Sequence, residues 1–145
     1  MIKKMLILPL VAVLVFLLSG CGTRVTEADR IANTTIDIGK SELFSTEDRK
    51  SAVQWILDKW SKEKTITKLY SITYVGDARS TAEQAYYFGT DNLSHEEMIV
   101  FNIHFHSAKG AGSEGFNGDS DYDGFAQVLG RDNGGEWVFV TGGYG

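Results

Sequence analysis

The chain has 145 residues, with 14 basic and 19 acidic side chains and a net charge of −5 at pH 7. That length accommodates one domain with one core and excludes two. The acidic balance argues against a nucleic-acid partner, and the single cysteine rules out an intramolecular disulfide.

The N-terminus reads Met1-Ile2-Lys3-Lys4, two positive charges ahead of an apolar run from Met5 to Leu18 broken only by Pro9. Those 14 residues are short for a permanent anchor, which needs about 20, and right for the hydrophobic region of an export signal. Leu18-Ser19-Gly20-Cys21 then follows. This aliphatic-small-small-cysteine pattern resembles the lipobox of bacterial lipoproteins. The resemblance implies a signal peptide over residues 1–20, cleavage before Cys21, and a diacylglycerol (palmitate-type) anchor on its thiol. Two acyl chains hold a protein stably on a membrane where one does not. The implied location is the cell membrane, lipid-anchored, on the extracytoplasmic face. Losing the leader removes two lysines and no acid, so the mature chain carries 12 basic and 19 acidic residues, a net −7.

Residues 21–35 are polar with little periodicity and are expected to form a flexible tether, leaving residues 36–145 as one domain. Ile36 to Gly39 suits a short extended piece. Ser45-Thr46-Glu47-Asp48 predicts a capped helix start, with Val53, Ile56, Leu57 and Trp60 along one side and Arg49, Lys50, Asp58, Lys59 and Lys62 on the rest. Thr65 to Val75 alternates and is rich in β-branched residues, which predicts a strand. Ser80 and Glu83 have capping-box spacing, predicting a short helix or turn ended by Gly89. Met98 to Ser107 is the strongest strand signal, with Ile99, Phe101, Ile103 and Phe105 facing one way and Asn102, His104 and His106 the other. Lys109 to Gly124 is expected as a loop. Phe125 to Arg131 and Glu136 to Thr141 read as a hairpin around Asp132-Asn133-Gly134-Gly135.

One main helix before a run of antiparallel strands is an α+β layout, with the helix packed on a curved sheet of about four strands. It resembles the cystatin-like and NTF2-like cone folds. The stretch from Ile36 to Tyr70 and the closing Gly130 to Gly145 also look like a group of small bacterial lipoproteins of uncharacterised activity, so that resemblance implies no reaction.

Three motifs bear on chemistry. Gly110-x-Gly112-x-x-Gly115 has dinucleotide-fingerprint spacing, but Phe116-Asn117-Gly118-Asp119 is not the helix start that cradles a pyrophosphate. Asp119, Asp121 and Asp123, ahead of Gly124, match the first half of a calcium loop, although the twelfth position is Gly130 rather than a bidentate glutamate. His104 and His106, about 7 Å apart along one strand face, suit two ligands of a zinc ion. A solvated acidic loop and two exposed histidines near a strand end are the plain alternatives, and they outweigh calcium and zinc. No nucleophilic constellation is present in the sequence. The expected function is therefore a membrane-anchored module binding a protein, peptide or cell-envelope ligand, without a cofactor. A divalent-cation module built on Asp119, Asp121 and Asp123 or on His104 and His106 is the alternative, and a small cone-fold enzyme comes third.

Overall fold

The computed structural model describes residues 24–144; the leader and Cys21 lie outside the described residues. The elements run α1 (Glu27–Ile31), β1 (Thr35–Asp37), α2 (Thr46–Ser61), β2 (Ile66–Tyr74), α3 (Asp77–Tyr87), β3 (Glu97–Ser107), a 3-10 turn (Ala111–Glu114), β4 (Asp121–Arg131) and β5 (Val138–Gly143). The fold is α+β. Its five strands form one mixed sheet in chain order, antiparallel from β2 to β5, with β1 parallel to β2. Among the described residues no helix is long and apolar enough to cross a membrane.

The stretch expected as a tether contains α1 and the start of β1. Thr26 and Asp29 make a capping box: the Thr26 hydroxyl accepts from the Asp29 amide at 3.1 Å, and the Asp29 carboxylate accepts from the Thr26 amide at 2.9 Å. α1 buries none of its residues. It is held by Ile31, which packs partly buried on the core, and by Arg30, whose guanidinium donates to the carbonyls of Ser61 and Ile66, both at 3.1 Å. Charge-assisted bonds of this kind locate a helix too short and too polar to persist alone.

α2 begins where the sequence predicts. The Ser45 hydroxyl accepts from the Asp48 amide and the Asp48 carboxylate accepts from the Ser45 amide, both at 3.0 Å. Ala52, Val53, Ile56 and Trp60 are buried against Leu69, Ile72, Phe101, Ile103 and Phe105 of the sheet. Full burial of a side chain like Ile56 contributes about 1.5–3 kcal/mol. Arg49, expected on the solvent side, is buried. Its Nη1 donates to the carbonyls of Ile38 and Gly39 at 3.0 and 2.8 Å, fastening the β1–α2 connection to the helix. α2 is thereby the crossover that a parallel β1–β2 pair requires.

α3 covers part of the opposite sheet face, where Met98, Val100, Ala126, Val128 and Val140 form a smaller aliphatic cluster with Tyr87 and Leu93 packed on it. The helix starts at Asp77 after Gly76, three residues before the predicted capping serine. Ser80 is buried within α3 and its hydroxyl accepts from the Val100 amide of β3 at 3.3 Å. Asp77 accepts from the Ser41 and Tyr74 hydroxyls at 2.5 and 2.6 Å and from the Glu42 amide at 2.7 Å, joining the start of α3 to the end of β2 and to the β1–α2 connection. Those bonds, Ser41 first and Tyr74 second, hold its pKa down to about 2.

Candidate functional site

β4 begins at Asp121, so two of the three aspartates expected in a calcium loop stand on a strand. Asp121 pairs in register with His106 of β3, while Asp119 precedes the strand with a positive φ of 54°. The register then shifts between Ile103 and Phe105, placing Asp123 and Gly124 across from His104; Gly124 takes a φ of 74°. An extended chain with such a bulge does not wrap a single cation as a calcium loop does.

His104 and His106 do share a face, as the alternation predicts, but they serve different neighbours. The His104 ring lies against Tyr70 of β2, with centroids 4.7 Å apart. His106 is clasped: Nδ1 is 2.7 Å from Asp121 Oδ1, and Nε2 is 3.1 Å from Asp119 Oδ1. A neutral imidazole has one N–H and can donate to only one of these carboxylates, so the pair of bonds selects the imidazolium. The Asp121 bond first and the Asp119 bond second push the His106 pKa up. An imidazolium has no lone pair for a metal. Among the described residues no group of three or more histidine, cysteine, aspartate or glutamate side chains is placed to hold a metal ion. The triplet Gly110-x-Gly112-x-x-Gly115 forms a 3-10 turn, and Phe116 beyond it turns inward onto Phe105, Tyr122 and Phe125, at 5.2, 5.1 and 5.8 Å between centroids.

Phe116 also belongs to a feature that the motif reading does not contain. Between the C-terminal half of α2 and strands β4 and β5 lies an apolar groove of about 290 Å³. Trp55 and Trp60 from α2, Phe116 from the loop, and Phe125 and Phe139 from the hairpin line it, with Lys59 and Glu63 on its helix side. Trp60 sits 4.8 Å from Phe105 and 6.0 Å from Phe125 between centroids, so that wall is fixed by packing. Phe139 is 54% exposed and is the loosest of the rings.

One polar residue lines the groove from the sheet. Gln127 is only 4% exposed, and its Oε1 accepts from the Trp60 indole N–H at 3.1 Å. An indole can only donate, so this bond decides which end of the amide faces Trp60. The amide nitrogen is left buried without a hydrogen-bond partner among the described residues. An unmet buried donor costs about 1–3 kcal/mol, which makes it the most expensive polar atom of the site. Its neighbour across the ladder is Gly142, which has no side chain. A Cβ there would lie 3.1 Å from the Phe125 ring, so the glycine lets that ring pack closely over β5.

The sequence does contain a signal for this site. In β4 the inward positions run Phe125, Gln127, Leu129, so an amide occupies a core position of an alternating strand. Trp55 flanks the apolar stripe of α2, four residues before Lys59 and eight before Glu63. These residues converge only through strand pairing. No protein-family model, no curated protein and no solved structure matches the chain.

Proposed function

We propose that the protein is a bacterial lipoprotein, tethered to the extracytoplasmic face of the cell membrane through Cys21, whose domain binds a ligand in the aromatic groove between α2 and the β4–β5 hairpin. The groove carries the binding reading: five aromatic rings around one buried, unmatched amide donor suit an apolar group with an oxygen acceptor. Its volume, at the small end of about 300–1,000 Å³ for ligand pockets, suits one ring or one large side chain. The anchor reading rests on Leu18-Ser19-Gly20-Cys21 behind a short apolar run. The same reading takes the fold as a variant of the cystatin-like and NTF2-like cones, on the strength of α2 lying across antiparallel β2 to β5. β1 and α3 are then additions to that plan.

Two measurements test the two halves. Mass spectrometry of the membrane fraction is expected to find an acylated Cys21 at the N-terminus, lost in Cys21→Ser; an N-terminus elsewhere ends the lipoprotein reading. In a thermal-shift titration, p-cresol is expected to raise the melting temperature saturably, since a ligand at ten times its Kd stabilises by about 1.4 kcal/mol. The rise should shrink in Trp55→Ala. No response in the wild type removes the groove as a binding site.

A further inference from the structure

We propose that the domain rests on the membrane by one corner, where the cavity between α1 and the start of β2 receives the phosphate of an anionic phospholipid headgroup. The inference rests on the anchor reading of Cys21 and gives the anchored domain a membrane-facing side. The cavity measures about 460 Å³, and Arg24, Glu27, Arg30, Lys64 and Thr67 are in its lining. Three cations against one carboxylate is the reverse of the balance in the chain as a whole. Among the described residues none of the three is ion-paired. Arg30 is the fixed one. Its Nε and Nη1 donate to the carbonyls of Ile66 and Ser61, which are neutral, so the guanidinium is held in place with its charge uncancelled and Nη2 left for a ligand. A planar guanidinium suits phosphate oxygens in particular. The other acids on these segments are turned away: Asp29 accepts from Thr26, and Glu63 accepts from Thr65.

Position along the chain selects the source of that phosphate. Arg24 is the third residue after Cys21, so their Cα atoms are at most about 11 Å apart. An acylated Cys21 sits at the bilayer surface, where each headgroup layer is roughly 5–8 Å deep. Arg24 is thereby kept beside that layer, and α1 follows it directly. The field of an anionic leaflet fades over about 8 Å at physiological salt, so cations this close to the anchor feel it and those farther off do not. A contact made by a segment already tethered is intramolecular, and its effective concentration is on the order of millimolar, above what a free phosphate supplies. α2 leads away from this corner. Its first turns, with the exposed Lys50, are on the order of 16 Å of helix from Ser61.

The test uses the full mature chain in lipid nanodiscs, either of phosphatidylcholine alone or with one lipid in three replaced by phosphatidylglycerol. Hydrogen exchange of the α1 amides is the readout, because a short helix with no fully buried residue opens locally unless something covers it. Each cation held at an anionic surface is worth roughly a fivefold change, so exchange should slow by about tenfold or more in the anionic discs. High salt should erase the difference. Arg24→Glu with Lys64→Glu should erase it as well. Lys40→Glu with Lys50→Glu makes the same change of charge away from the cavity and should leave it. Equal loss in both double variants overturns the proposal, because net charge rather than the cavity then governs. Equal exchange in the two kinds of disc, for an unaltered chain shown by mass to be acylated on Cys21, also overturns it and spares the anchor, whether or not the variants fold. A chain with no acyl group on Cys21 brings down anchor and headgroup site together. Slowing by glycerol 3-phosphate in phosphatidylcholine discs, as large as that by the anionic lipid, makes a soluble phosphate the occupant and overturns the proposal too.

Discussion

The two faces of one sheet are closed by different means. Under α2 the contact is aromatic and continuous: Phe44, Trp60, Tyr74, Phe101, Phe105 and Trp137 all belong to one buried cluster. Under α3 it is aliphatic and small, and it stops at Ala126. Beyond that point Asn102, His104 and His106 stand half-exposed, with the imidazole of His106 clasped by two carboxylates. Large rings provide more area per residue but tile imperfectly, which is how a groove persists beside a well-packed core. Beside the smaller cluster the cavity against Ala126 and Val128 is only about 140 Å³, and where those side chains run out the surface is organised by charge.

The widest expected split between the faces comes from truncating one residue on each. Phe101→Ala removes a fully buried ring from the α2 side and should cost about 3–5 kcal/mol; Val100→Ala on the other side should cost about 1–2 kcal/mol. Urea midpoints that fall equally would show that the smaller cluster carries as much of the fold as the larger.

A smaller effect is expected where the faces meet, at the end of the sheet. Arg131 is buried, forks onto Glu97 at 2.6 and 3.2 Å, reaches Asp48 at 2.8 Å and lies over the Trp137 ring at 4.3 Å. Arg131→Ala strands two carboxylates and should cost about 2–4 kcal/mol, with Arg131→Lys recovering only part because a lysine cannot fork. Asp48 has its pKa lowered, first by the Arg131 hydrogen bond and then by Ser45. A lowered carboxylate stabilises above its unfolded pKa of about 3.9 and loses that stabilisation as pH falls. The gap between Arg131→Ala and the unaltered chain should therefore narrow in acid titrations.

The smallest effect belongs to the clasp. Its carboxylates are 62% and 64% exposed, so solvent screens them, and His106→Asn should cost under about 1 kcal/mol. Its direction with pH is the sharper test. A raised histidine pKa stabilises fully below the unfolded value of about 6.5 and loses that contribution as pH rises through the folded value. The advantage of the unaltered chain over His106→Asn should fade as pH climbs above about 6.5. Growth of the advantage in that range would mean that the imidazole is neutral and the clasp is not ionic.

Local signals carried the sequence reading as far as they reach. The Ser45 cap, the apolar stripe of α2 and the alternation of β3 each lie within a few residues, and each stands where expected. The misses came from partners distant in sequence. Arg49 looks like a surface charge until the carbonyls of Ile38 and Gly39 fold over it. Ser80 and Glu83 have capping spacing, yet Ser80 is spent on β3 and Glu83 on Arg79. α1 has a capping box but no apolar periodicity, because carbonyl bonds from Arg30 replace a buried face. Asp121 and Asp123 read as loop because aspartate and glycine have little strand preference of their own, and only pairing with the His104–His106 end of β3 holds them extended. Gln127 was visible as a polar residue at an inward position, but only the Trp60 bond reveals which of its ends is unmet.

The attachment of α1 has a mechanical side. A force applied N-terminal to α1 meets that helix before any strand. What resists is the pair of Arg30 bonds, the Thr26–Asp29 box and the one partly buried contact of Ile31 with the core. Such a segment yields at loads that leave the sheet intact, and each residue it releases adds about 3.5 Å of reach. For a chain held N-terminal to it, the short helix is then a slack store: tension lets the domain move outward, and when tension falls the capping box and Arg30 draw it back.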